Sequence, residues 1–172
     1  MTLYDEPYRP QFHYSPPSGW LNDPNGLVYY EGEYHLFYQY HPHSTVWGPM
    51  HWGHAVSPDL IHWETLPIAL YPDDLGTMFS GCVVVDADNT SGLVPGGGLV
   101  ALFSYHTQAQ GAAYSTDRGR TWTKYEGNPI IPALRKDFRD PKVLWYAGQW
   151  VMVLSAGESV MFLKSPDLLH WE

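Results

Sequence analysis

The sequence has little of three things that define large classes of protein: cysteine, basic residues and long apolar runs. Its single cysteine, Cys82, excludes an internal disulfide framework. Nine lysine and arginine residues stand against 18 acidic ones, and they are scattered, which excludes binding to a nucleic-acid phosphate backbone. No stretch reaches the roughly 18 consecutive apolar residues of a membrane-spanning helix. We therefore expect neither a nucleic-acid partner nor a membrane association.

The first ten residues are polar and lack the apolar core of a signal peptide. This composition fits a cytoplasmic protein, and it equally fits a mature chain from which a signal has been removed. Of the two we expect the extracellular location.

Aromatic residues are abundant, at 16% of the chain, with 8 tryptophans and 13 tyrosines. Flat apolar rings with a polar edge match the C–H faces of carbohydrates. Aromatic residues also favour short strands joined by turns, and most of these rings are expected to lie in strands and in the core.

Short strand-like runs recur along the chain, and no segment keeps a helical period. The turn signals between them include Glu31-Gly32, Gly96-Gly97-Gly98, Asp117-Arg118-Gly119 and Ala147-Gly148. This spacing predicts an all-β sandwich, barrel or propeller. The predicted strands are Leu27–Tyr30, Tyr34–Tyr40, Trp52–Val56, Gly81–Val85, Leu99–Tyr105, Ala112–Ser115, Lys142–Trp145, Trp150–Ser155 and Val160–Lys164.

An internal repeat selects the propeller. The run Ser-Pro-Asp-Leu-Ile-His-Trp-Glu that begins at Ser57 recurs almost unchanged from Ser165, and a looser copy begins at Ser115. The starts of the copies lie 58 and 50 residues apart, a period typical of one four-stranded propeller blade. We expect the aspartate of each copy to close a tight turn through the backbone, and the tryptophan to be structural.

Three copies account for three blades, whereas propellers close with four to eight. A ring left open exposes strand edges and core. We therefore expect residues 1–172 to be the N-terminal portion of a propeller domain, completed by further chain or by self-association.

Two stretches combine an aspartate with a following proline. In Trp20–Gly26, Asp23 stands between Asn22 and Pro24, where an amide and backbone N–H groups can keep a carboxylate ionised, as a glycosidase nucleophile requires. The four residues from Asp23 to Gly26 are also a good turn on their own.

The second stretch is Phe138–Lys142, in which Asp140 follows Arg139 and precedes Pro141. A neighbouring arginine keeps an aspartate charged, and such a pair can hold two adjacent sugar hydroxyls. A purely structural ion pair is the alternative.

Taken together with three further blocks, these stretches resemble glycoside hydrolase family 32, the group of invertases, levanases and exo-inulinases. The further blocks are Phe37–Pro42, Trp47-Gly48 with His51–Ala55, and Phe79–Gly81. Tyr8–His13 is most similar to exo-acting bacterial levanases and inulinases. The resemblance covers essentially the whole chain and implies a five-bladed β-propeller, of which residues 1–172 span about the first three blades.

The resemblance implies a role for each motif residue. Asp23 is expected to be the nucleophile that attacks the anomeric C2 of a fructosyl unit, and Asp140 the transition-state stabiliser that binds the 3- and 4-hydroxyls. The subsite for the terminal fructose is expected to be lined by Asn22, Gln39, Trp47, Trp52, Phe79, Ser80 and Arg139. No metal or other cofactor is implied, and the spacing of His41, His43, His51 and His54 matches no zinc pattern.

The family's acid/base is a glutamate in a Glu-Cys-Pro block, and this sequence has no Glu-Cys pair. Of the glutamates after Asp140, Glu158 falls in a predicted hairpin turn and Glu172 in the turn repeat, so neither fits the motif.

The function expected from the resemblance is retaining release of terminal β-D-fructofuranosyl units from levan, inulin or sucrose. Three alternatives remain open: a fructosyltransferase of the same family, a fructan-binding or interaction module without turnover, and a five-bladed arabinan-acting enzyme. The Trp20–Gly26 block argues against the last of these.

Overall fold

The computed structural model describes residues 5–172, which form eleven strands and no helix. Because there is no helix among these residues, they contain no helix that is long and apolar enough to cross a membrane. The strands are β1 (Trp20–Tyr30), β2 (Glu33–His41), β3 (His51–Ser57), β4 (Glu64–Leu70), β5 (Met78–Asp86), β6 (Gly98–Tyr105), β7 (Gln110–Ser115), β8 (Thr123–Lys124), β9 (Phe138–Tyr146), β10 (Gln149–Ala156) and β11 (Val160–Ser165).

The strands form three antiparallel sheets in chain order. Their strand orders are β1-β2-β3-β4, β5-β6-β7-β8 and β9-β10-β11. Because β1 contacts β5 and β5 contacts β9, the first strand of each sheet lies on the inside. The three sheets are three successive blades of a β-propeller, which confirms the predicted fold class and all nine predicted strands.

Two apolar cores fill the spaces between the blades. One joins the first blade to the second and includes Phe37, Trp52 and Phe103. The other joins the second blade to the third and includes Leu102, Phe138 and Met152. Every residue of β6 is buried, because alternate side chains enter the two cores in turn.

The turn repeat has the structure expected of it. In the third copy, the Asp167 carboxylate accepts hydrogen bonds from the backbone N–H groups of Leu169 (3.0 Å) and His170 (2.8 Å). The Trp171 indole N–H donates to the Leu168 carbonyl at 2.8 Å, and the ring packs against the core. In the first copy Asp59 accepts from the N–H groups of Ile61 and His62, and in the middle copy Asp117 accepts from the N–H and the hydroxyl of Thr121. The indole N–H groups of Trp63 and Trp122 donate to backbone carbonyls of the same turns. The aspartates therefore close the turns, as predicted.

Two outer strands, β4 and β8, escaped prediction. Both are outermost in their sheets and poorly buried, so neither has a clear alternation of apolar and polar residues. Pro67 also interrupts β4, which is tolerated because an edge strand needs fewer backbone donors.

The turn suggested for Asp23 to Gly26 is wrong, because this segment is part of β1. Pro24 pairs with Tyr38 and Asn25 with Phe37, with register shifts on either side. As the innermost strand, β1 has a neighbour on one side only, so Pro24 leaves no ladder hydrogen bond unmade.

Candidate active site

The inner strands β1, β5 and β9 share an irregularity near their N-terminal ends. Register shifts occur between Leu21 and Pro24 in β1 and between Met78 and Gly81 in β5. In β9 the shift lies between Arg139 and Lys142, opposite Ser155 and Val153 of β10. A bulge turns a side chain away from the regular pleat. The three bulges face a common cavity of about 150 Å³, which is lined by Asn22, Asp23, Gln39, Trp47, Phe79, Ser80, Arg139 and Asp140.

The Asp23 side chain is exposed at this cavity and held at both oxygens. The Asn22 amide donates to Oδ1 at 3.1 Å, and the Ser80 hydroxyl donates to Oδ2 at 3.1 Å. The Trp20 indole N–H in turn donates to the Asn22 amide oxygen at 2.8 Å, which points the amide N–H₂ towards Asp23. Hydrogen bonds to both oxygens fix the direction of the carboxylate.

Asp140 approaches the cavity from the third blade with a positive φ of 61°. Its partial withdrawal from water raises its pKa, the neighbouring Arg139 lowers it, and the negative charge of Asp23 raises it further, for a net upward shift. The Arg139 Nε lies 3.6 Å from the carboxylate, and its Nη1 donates to Asp137 at 2.8 Å. The two aspartates are therefore close enough to feel each other's charge.

Gln39 supplies an unused donor. Its side chain is 3% exposed, and its Nε2 has no hydrogen-bond partner within residues 5–172. A buried amide N–H₂ without a partner is costly, and such groups are usually satisfied by a ligand or by water. Because Gln39 lines the cavity, a hydroxyl group bound there is a suitable acceptor.

Trp47 provides an apolar surface at the same cavity. It lies in the loop between β2 and β3 and is 60% exposed. The His41 ring donates to the Val46 carbonyl at 3.0 Å, which ties down the residue before Trp47.

Comparison with known proteins identifies the family of this chain. The sequence model described as the glycosyl hydrolases family 32 N-terminal domain matches residues 13–172. The chain belongs to glycoside hydrolase family 32. The predicted resemblance is thereby confirmed.

Family 32 relatives match almost the entire chain. It is similar to a levanase of Bacillus subtilis (60% identity over 178 residues, 99% of this chain and 26% of the relative). It is also similar to an extracellular exo-inulinase of Aspergillus niger (43% over 204 residues, 98% of this chain and 38% of the relative). Among solved structures, a fructofuranosidase of Schwanniomyces occidentalis complexed with fructose matches with a TM-score of 0.88 and 42% identity, covering 95% of this chain and 35% of that one. The chain thus spans well under half the length of these family 32 proteins.

Eight of the nine residues expected at a family 32 fructose site converge on the cavity, and the ninth, Trp52, does not. Its side chain is fully buried in the core between the first two blades. The prediction that its ring walls the subsite is therefore corrected. Its indole N–H donates to the Phe79 carbonyl at 2.9 Å, so Trp52 supports a cavity residue from behind.

Neither candidate glutamate lies at the cavity of this family 32 chain. Glu158 is in the turn between β10 and β11, as predicted. Glu172 pairs with Lys164 through two backbone hydrogen bonds of 2.8 and 3.0 Å, the position that Glu64 holds opposite Val56 in the first blade.

The histidines do not form a metal centre within the described residues, where no group of three or more His, Cys, Asp or Glu side chains is placed to hold an ion. His54 is buried and pairs with His35, with 3.0 Å between Nε2 and Nδ1.

Sequence reasoning missed a group of polar side chains behind the site. The backbone N–H of Asp140 donates to the Ser104 hydroxyl at 3.0 Å, and Ser104 is hydrogen-bonded to Gln110 at 2.8 Å. Both residues are fully buried. The only signals in the sequence are a serine directly after the apolar run from Leu99 to Phe103 and a glutamine directly before Gly111 to Ala113.

Proposed function

We propose that this chain is the part of a retaining exo-β-fructosidase that binds the terminal fructose and supplies the nucleophile. The observation that carries this proposal is the convergence of Asp23 and Asp140, from different blades, on one cavity. In a retaining glycosidase the nucleophile and a separate acid/base lie roughly 5–5.5 Å apart, so Asp23 is proposed as one carboxyl of that pair and Asp140 as an additional carboxylate that binds the sugar. The substrates proposed are levan, inulin and sucrose.

In the proposed reaction, Asp23 attacks the anomeric C2 and forms a covalent fructosyl intermediate while the glycosidic C2–O bond breaks and the leaving oxygen takes a proton from the acid/base. Water, deprotonated by the same acid/base, then attacks C2, which releases fructose and frees the Asp23 carboxylate. The hydrogen bonds from Asn22 and Ser80 hold its carboxylate in a fixed direction. Asp140 accepts hydrogen bonds from two sugar hydroxyls, which become stronger as positive charge develops on the ring. Arg139 beside it offsets the repulsion between the two carboxylates.

The acid/base belongs to another part of the protein in this proposal. The cavity residues Asp23, Ser80 and Asp140 come from three successive inner strands. The family's Glu-Cys-Pro block follows the Arg-Asp-Pro block in sequence, so the next inner strand is the proposed source of the glutamate. Without it, general-acid catalysis worth about 10²–10⁴-fold is missing.

We further propose that residues 1–172 are the first three blades of a five-bladed domain. Apolar side chains are exposed on the outer face of each terminal blade, namely Leu27 and Tyr29 on the first and Leu144, Val160 and Phe162 on the third. Exposed patches of this kind mark surfaces that are covered in the assembled molecule. An extracellular location is part of the proposal, in keeping with the name of the Aspergillus niger relative.

A second candidate function is fructan binding without turnover. It is favoured by one observation: no described glutamate lines the cavity, whereas the residues expected to hold fructose do.

The experiment is to measure fructose release from sucrose, inulin and levan, together with fructose binding by NMR, for the purified chain and its Asp23→Ala variant. A chain that binds fructose without releasing it supports the binding half of the proposal. In a form extended by the following blades, we expect release, and Asp23→Ala should reduce it at least about 10³-fold. An extended Asp23→Ala variant that still hydrolyses sucrose rules out Asp23 as the nucleophile.

A further inference from the structure

Asp140 is held in an unfavourable backbone conformation. Its φ of 61° lies in the left-handed region, which few residues other than glycine occupy, and the following Pro141 restricts its backbone further. Such conformations persist at functional sites only where the surroundings enforce them. The third blade does not do so alone, because the register of β9 with β10 is broken between Arg139 and Lys142.

The surrounding constraint comes from the second blade. The Asp140 N–H donates to the Ser104 hydroxyl at 3.0 Å, and that hydroxyl donates to Gln110 Oε1 at 2.8 Å. The Gln110 Nε2 donates to the Phe138 carbonyl at 2.9 Å, and Gln108 Oε1 accepts from the Phe138 N–H at 3.1 Å. These hydrogen-bonded side chains, Ser104, Gln108 and Gln110, are called the polar chain below. They bind the backbone on both sides of Arg139.

The polar chain is buried and complete. Ser104 and Gln110 are both 0% exposed, and the Gln110 side chain uses its oxygen and its nitrogen. Fully satisfied buried networks fix one geometry, because every alternative leaves a polar group without a partner.

We propose that Ser104 and Gln110 are positioning residues for Asp140, an inference that rests on the proposed function. The second blade then holds both carboxylates, since the Ser80 hydroxyl of β5 binds Asp23 of the first blade and the Ser104 hydroxyl of β6 binds Asp140 of the third. Two hydroxyls on adjacent strands of one blade set the distance between nucleophile and stabiliser.

The test compares Ser104→Ala, Ser104→Thr and Gln110→Met with the control Ser165→Ala. Ser165 is also a buried serine that accepts a backbone N–H and donates to a side chain, but its partner is Asp167 in the third turn repeat. The readouts are fructose affinity of the chain, hydrogen exchange of the Asp140 amide, and thermal stability.

We expect Ser104→Ala and Gln110→Met to weaken fructose binding about ten-fold or more, because small displacements of a positioning group are costly. Exchange at Asp140 should accelerate selectively in Ser104→Ala, and Ser104→Thr should restore both readouts. Ser165→Ala should lower the melting temperature without changing affinity.

Unchanged affinity and unchanged Asp140 exchange in Ser104→Ala would overturn the positioning role. Equal loss of affinity in Ser165→Ala would also overturn it, by showing an effect of stability alone. If the unmodified chain fails to bind fructose, the proposed function fails, and the exchange of the Asp140 amide still decides whether Ser104 holds it.

Discussion

At the scale of single residues, Asp140 combines a proposed role in fructose binding with a cost in stability. Its pKa is raised in the folded chain by partial withdrawal from water and by Asp23, against the opposing effect of Arg139. A carboxyl with a raised pKa destabilises the fold when it is ionised, so its cost is present above the folded pKa and disappears as pH falls below the unfolded value.

We therefore expect Asp140→Asn to stabilise the chain at pH 7 while weakening fructose binding. The gain should stay below about 1 kcal/mol, because a half-exposed carboxylate is screened by solvent. Asparagine also tolerates the positive φ of this position. Urea unfolding of both proteins between pH 3 and pH 7 measures the difference, which should shrink with falling pH. A destabilised Asp140→Asn at pH 7 contradicts this account, and Asp74→Asn in an exposed loop is the control.

The same scale shows where prediction from sequence succeeds. Asp23 and Asp140 were predicted from the resemblance of the whole set of motifs to family 32, since each Asp-Pro stretch alone also fits a turn or a structural ion pair. Eight of the nine expected residues do line the cavity, and their roles stay predictions. Trp52 was wrongly assigned to the cavity because every residue of β3 is buried, so the sequence has no alternation that shows which side chains enter the core between the blades. Ser104 and Gln110 were missed because their role depends on contact with a strand some 30 residues further along the chain.

At the scale of structural elements, the turn repeat stabilises each blade. We expect Asp167→Ala to lower the free energy of unfolding by about 1–3 kcal/mol, because the N–H groups of Leu169 and His170 lose their acceptor. Asp167→Asn keeps one acceptor oxygen and should cost less. Urea denaturation at pH 7 measures both, and equal stability of Asp167→Ala and the unmodified chain would contradict a structural role for the repeat.

The β2–β3 pair contains an acid-sensitive element, the buried His35 and His54. Burial, and then the nearby His35 and Arg120, hold the pKa of His54 well below its usual value. A histidine with a lowered folded pKa stabilises the fold above about pH 6.5 and loses that contribution as pH falls below it, because only the unfolded chain takes up the proton.

We expect the free energy of unfolding to fall by up to about 1.4 kcal/mol per pH unit below 6.5 on account of His54. His54→Gln should flatten this slope, whereas His43→Gln, at an exposed position, should not. Denaturant titrations at pH 5.0, 6.0 and 7.0 decide the matter. An unchanged slope in His54→Gln assigns the acid sensitivity to other groups.

At this scale the sequence predicted the inner and middle strands well, and it predicted the outer strands and the bulged part of β1 poorly. Strongly apolar inner and middle strands were found because burial on both faces leaves a continuous apolar run, as in β6. The outer strand β8 has two residues and no pattern to detect. The bulged part of β1 was mistaken for a turn because Asp-Pro-Asn-Gly is a turn sequence, and only the position of β1 at the inside edge of its blade makes an extended form acceptable.

At the scale of the whole molecule, three blades form an arc whose two outer faces are apolar. On the third blade the outward side chains of the sheet include Leu144, Val153 and Phe162, with Phe162 directly opposite Val153. Two such faces on one chain are complementary to further blades, and in an isolated chain they are available to other copies. The proposed five-bladed domain and the expected self-association are therefore two consequences of one surface.

The substitution Phe162→Glu tests self-association and ring closure separately. In the 172-residue chain we expect it to reduce self-association in sedimentation experiments and to change the free energy of unfolding by less than about 0.5 kcal/mol, because Phe162 is 68% exposed. In a form extended by the following blades, the same substitution places an unpaired charge in an interface and should cost about 3 kcal/mol or more. Thr116→Glu, which adds the same charge at an exposed turn, should have neither effect. If Phe162→Glu leaves the extended form as stable as before, the outer face of the third blade stays uncovered there, and the ring closes in some other way.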